Sequence, residues 1–73
     1  MATQIVMDHT GDRRYPFDPQ NAEAVAKAEE RFKELTGAGY FAAARTSAGE
    51  SHRLKSFDPN VEETLFFPRL VGG

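Results

Sequence analysis

The sequence predicts an α+β fold: a small ββαββ(β) domain with one helix packed on a four- to five-stranded sheet. Three observations carry this expectation. Only one segment has a sustained helical stripe, with Ala22, Val25, Ala28, Phe32 and Leu35 at spacings of 3, 3, 4 and 3. Short apolar runs flank it in pairs, and each pair is separated by a glycine-bearing turn, at Gly11 and at Gly49. The chain has 73 residues, enough for a single domain with an economical core.

The elements follow in order. Residues 3–8 read as a strand, because Ile5, Val6 and Met7 are consecutive and apolar, as in a strand covered on part of both faces. Thr10-Gly11-Asp12 signals a turn, since glycine takes positive φ at no steric cost. Residues 13–17 return as a second strand, with Tyr15 and Phe17 on one face and Arg14 on the other. Pro16 has no N–H for a ladder, which places this strand at an edge.

Asp18-Pro19 reads as a helix start, with Asp as N-cap and Pro at the first helical position; Asn21 is a competing cap. Glu23 with Lys27, and Glu29 with Lys33, stand four apart in the favourable orientation. Gly37 fits the position just past the helix end. Residues 40–45 form a strand whose three alanines, Ala42 to Ala44, let a helix approach closely. A loop over 46–50 leads to a strand over 51–57, in which Leu54 faces opposite to Arg53 and Lys55. Asn60 and Glu63 are spaced as in a one-turn capping box. Residues 64–67 make the last strand, so 1–67 form the domain and 68–73 an exposed tail. Phe17-Asp18-Pro19 and Phe57-Asp58-Pro59 repeat one tripeptide, which we read as shared strand-stop, helix-start chemistry rather than duplication.

Composition narrows the function classes. With 40% hydrophobic and 27% charged residues, the chain belongs with neither disordered nor membrane proteins. The first seven residues lack a basic flank and meet Asp8 too soon for a signal peptide, so a cytoplasmic chain is expected. There is no cysteine, and two histidines alone do not make a zinc site. A net charge of -2 argues against an obligate nucleic-acid binder.

The chain closes on Leu65-Phe66-Phe67-Pro68-Arg69-Leu70-Val71-Gly72-Gly73. This ending resembles the C-termini of bacterial sulfur carriers of the molybdopterin-synthase small-subunit and thiamine-carrier type, which end in an apolar strand, often with Phe-Pro, and a free Gly-Gly. The element order likewise resembles the β-grasp, the ubiquitin-like fold. The resemblance covers about nine residues plus that order, and Arg69 stands where those carriers often have a second proline. It implies a carrier or modifier that an ATP-dependent adenylating enzyme activates at Gly72 and Gly73, with no catalytic residue, cofactor or metal of its own. Two glycines make the thinnest peptide, suited to threading a narrow channel.

The alternative is a non-covalent interaction module on a basic sheet face or a strand edge. Arg14, Arg53 and Lys55 would supply the charge, and Phe66, Pro68 and Leu70 would supply apolar contact beside the tail. Arg45 joins the basic set only if Phe41 also faces outward. Of the adjacent Phe66 and Phe67, one belongs to the core; a central final strand covered on both faces would bury the other as well. Such a basic face could also stack on RNA, but an ordinary solvated face or an acidic protein partner is the better expectation. Asp8, His9 and His52 could be paired with Thr10, Thr46, Ser47 or Ser51 as base and nucleophile. Their spacing matches no triad signature, and the chain has little room for a substrate pocket, so an enzyme is not expected. A monomer is expected, without nucleic acid or membrane as partner.

Overall fold

A computed structural model describes residues 1–46 and 48–68. Five strands and one helix follow in the order β1 (Ala2–Asp8), β2 (Gly11–Phe17), α1 (Ala22–Gly37), β3 (Tyr40–Arg45), β4 (Ser51–Leu54) and β5 (Glu63–Pro68). The sheet order is β2-β1-β5-β3-β4. β1 and β5 run parallel at its centre, and the other pairs are antiparallel. This is a β-grasp-like arrangement, with the helix covering one face.

The first hairpin closes on a two-residue loop, because Asp8 stands opposite Gly11. Gly11 has φ +118°, a conformation that disfavours any side chain, and it opens β2. Asp8 accepts hydrogen bonds from the Thr10 backbone N–H and hydroxyl, which ties the loop down. Pro16 lies on β2, an edge strand, where its missing donor is not needed by a second neighbour.

The helix starts at Asn21 rather than at Asp18. The Asn21 side chain accepts from the N–H groups of Glu23 and Ala24. Asp18 instead builds a turn: its carboxylate accepts from Gln20 N–H at 2.9 Å and its carbonyl from Asn21 N–H at 3.0 Å. Asp58 repeats these bonds toward Asn60 and Val61, at 2.9 and 3.4 Å. The two Phe-Asp-Pro segments therefore share turn chemistry, not helix starts, and no capping box forms at Asn60 and Glu63. Glu63 is already in β5.

Gly37 is the last helical residue, and the positive φ falls at Gly39 (φ +101°). The expected pattern had placed the helix end two residues early. A Cβ at Gly37 meets nothing within 4 Å. Gly37→Ala is therefore expected to raise stability by about 0.5 kcal/mol, and Gly39→Ala to lower it by about 1 kcal/mol. Opposite shifts of the urea midpoint would verify this helix end. The Glu23–Lys27 and Glu29–Lys33 pairs stay open: among the described residues, the one ion pair is Arg45–Glu63.

The core lies between α1 and one sheet face. Ala28 and Phe32 are its buried helical residues; Ala24, Val25 and Leu35 flank them, whereas Ala22 is exposed. Phe32 meets the fully buried Phe66 edge-on at 5.6 Å. Ala42 and Ala44 face the helix and are 2% and 1% exposed, so the small side chains do admit it closely.

β4 stops at Leu54, short of the expected end at residue 57. A bend at Lys55-Ser56 breaks the alternation and turns Phe57 inward. There it sits 6.3 Å from Phe17 and 6.0 Å from Phe32, between the two halves of the core. Gln4 is the largest buried polar residue. It is 0% exposed, donates to the Ala28 carbonyl at 2.9 Å and accepts from Arg31 at 2.9 Å. Arg31 also lies 4.1 Å over the Tyr15 ring.

Candidate functional site

The helix leaves the second sheet face uncovered, and the register assigns its residues. Ile5, Leu65 and Ala43 stand in one row across β1, β5 and β3. Ile5 is 2% exposed although no described helix or strand covers this face, so its strand neighbours shield it. Next to that row, Phe41 pairs with Phe67 across β3 and β5, with ring centroids 5.8 Å apart. The Arg53 guanidinium from β4 lies 4.2 Å over the Phe41 ring. These groups, with Ala43, Ser51 and His52, line a shallow groove of about 350 Å³.

Arg45 shares this face with Phe41, as the alternation required. It is not available as a free cation, because its Nε donates to Glu63 at 2.9 Å. That bond holds the Glu63 carboxyl below its ordinary range and the Arg45 guanidinium above its own. A depressed carboxylate pKa stabilises the fold fully above the unfolded-state value, and the contribution disappears as pH falls through the folded value. Thermal stability should therefore fall as pH drops below the ordinary glutamate value, and Glu63→Gln should flatten that slope in a series of melting curves. Asp8 is held low chiefly by the Thr10 hydroxyl, then by the Thr10 N–H.

The residues expected to dock a partner are not one patch. Arg14 is on this face, exposed, on β2, while Arg53 is on β4 at the opposite edge. Four strand spacings separate them, about 19 Å. Lys55 follows the end of β4 and lies against helix residues as well as β3. Phe66 cannot touch a partner: it is 0% exposed, since its register with Val6 and Ala42 turns it to the helix. Phe67 takes the outward position and is 37% exposed, which corrects the expectation that the final strand is covered on both faces. Pro68 belongs to β5, opposite Tyr40, rather than to a tail. Leu70, Gly72 and Gly73 lie outside the described residues.

Sequence reasoning missed the Phe41–Phe67–Arg53 cluster as a unit. Its signal was present in the parity of β3: once the alanines at 42 and 44 face the helix, Phe41 must face away. Among the described residues, no group of three or more His, Cys, Asp or Glu side chains converges as metal ligands, and no helix is long and apolar enough to cross a membrane. No protein-family model, curated protein or solved structure matches the chain.

Proposed function

We propose that this chain is a small carrier or modifier of the ubiquitin-like kind, activated at Gly72 and Gly73 by an ATP-dependent adenylating enzyme. The observation that supports the reading is the strand order. β5 occupies the sheet centre beside β1 and delivers the chain at the exposed Pro68, where the diglycine-bearing segment begins. In the proposed reaction the Gly73 carboxylate attacks the α-phosphate of ATP, pyrophosphate leaves, and an acyl adenylate forms. A partner thiol then displaces AMP to give a thioester, or a partner persulfide displaces it to give an acyl disulfide, whose S–S bond a second partner thiol attacks, releasing the thiocarboxylate and leaving a disulfide on the partner. The protein is the substrate in every step.

The test starts from intact mass, which must show Gly73 as the terminal residue with a free carboxylate. The protein is then incubated with ATP and a candidate adenylating enzyme from the same genome. A mass gain from exchange of oxygen for sulfur, or a covalent conjugate, is expected, and both should vanish on deletion of Gly73. Products that persist without Gly73, or no product at all, would refute the reading.

A second reading, a non-covalent module, is favoured by the Phe41–Phe67–Arg53 cluster. An aromatic pair, Phe67 exposed and Phe41 half-buried, with a stacked cation has the composition of an interface anchor. On this reading, deletion of Gly72 and Gly73 leaves partner binding intact, and Phe67→Ser weakens it.

A further inference from the structure

β3 is longer than the strand that borders it. β5 pairs with all of Tyr40 to Arg45, but β4 pairs only with Ala42 to Arg45. Among the described residues, the outer edge of Tyr40 and Phe41 is therefore without a neighbouring strand. In an antiparallel ladder, alternate residues direct both N–H and C=O to the same side. One of these two residues thus offers a donor and an acceptor outward. Among the described residues, no other backbone hydrogen bond reaches either residue on that side.

A cleft of about 430 Å³ opens at this place, bordered by Gly39, Tyr40, Phe41, Arg53, Leu54 and Lys55. Among the described residues its ionised side chains are both cations, and no carboxylate lines it. Neither Arg53 nor Lys55 has an ion-pair partner among the described residues. Arg53 is held at the mouth by its contact with the Phe41 ring.

We propose that this cleft binds an extended acidic peptide segment of a partner protein, which continues the ladder along β3 where β4 leaves off. Main-chain hydrogen bonds to the free β3 edge give the segment its direction. Arg53 and Lys55 select carboxylate side chains on it. The described residues that border the cleft lie between 36 and 55, and the proposal does not depend on activation at the diglycine.

The probe is a capped pentapeptide, Val-Glu-Val-Asp-Val, titrated into the full-length ¹⁵N-labelled protein and followed by amide chemical shifts. Its neutral counterpart, Val-Gln-Val-Asn-Val, is the comparison. Saturable shifts confined to residues 39–41 and 53–55 are expected, with the neutral peptide bound roughly tenfold more weakly. Lys55→Glu, an exposed position, should weaken the acidic peptide by a similar factor. Arg13→Glu, the same charge change at an exposed position on the opposite edge strand β2, should leave it unchanged. Equal binding of the two peptides would overturn the proposal. So would shifts centred on β2 or on Phe67, or the absence of any shift.

Discussion

Phe66→Ala is expected to unfold most of the protein at ambient temperature. Phe66 is fully buried, contacts Phe32 edge-on and belongs to the cluster of Val6, Phe32 and Ala42. Truncating a buried phenylalanine costs about 3–5 kcal/mol in lost transfer energy and residual cavity. A domain of 73 residues is at the small end of what a single core can hold, so a loss of this size approaches its whole stability. The adjacent residue provides the control. Phe67 is 37% exposed and contacts Phe41 on the open face, so Phe67→Ala should cost no more than about 1 kcal/mol. Urea denaturation of the two variants side by side checks the claim. Equal losses would mean that the facing of β5 is wrong, and with it the orientation of the whole sheet.

The second large effect should come from Gln4. Gln4→Ala removes a buried side chain together with two hydrogen bonds, one to the Ala28 carbonyl and one from Arg31. We expect a loss of about 2–3 kcal/mol. Gln4→Leu separates the two causes. Leucine restores most of the volume and leaves little stranded: the Ala28 carbonyl stays within the helix ladder, and Arg31 remains over Tyr15. Its cost should be near 1 kcal/mol. If leucine proves as damaging as alanine, the hydrogen bonds rather than the packing hold α1 in register over β1.

Much of this architecture was legible in the residues. The 3.6-residue stripe located α1, the proline placed β2 at an edge, and the alanine run marked where the helix comes close. The errors have physical causes. Asp18 and Asn21 are both good caps, and the competition was decided by the turn that Asp18 makes with Gln20 and Asn21. Phe57 looked like the end of a strand because local alternation does not report a bend that a distant aromatic pocket requires. Phe66 and Phe67 are chemically identical neighbours, and only the pairing of β5 with β1 and β3 distinguishes them. Gln4 carried no signal at all, because a glutamine in a strand reads as solvent-facing until its partners on α1 are known. For the candidate site, the basic residues were found but their spacing was not, since strand order decides which ones are neighbours.

The position of β5 has a consequence for how the protein is made. β5, which follows the other described strands in chain order, fills the gap between β1 and β3. Until then the two halves of the sheet have no ladder joining them, and the Phe32 ring lacks its main partner. Closure brings together segments about sixty residues apart, Thr3 against Glu63, and that entropic cost falls on the final step. Folding should therefore be slow for so small a domain, and a nascent chain stalled before residue 63 should be open to proteases and chaperones.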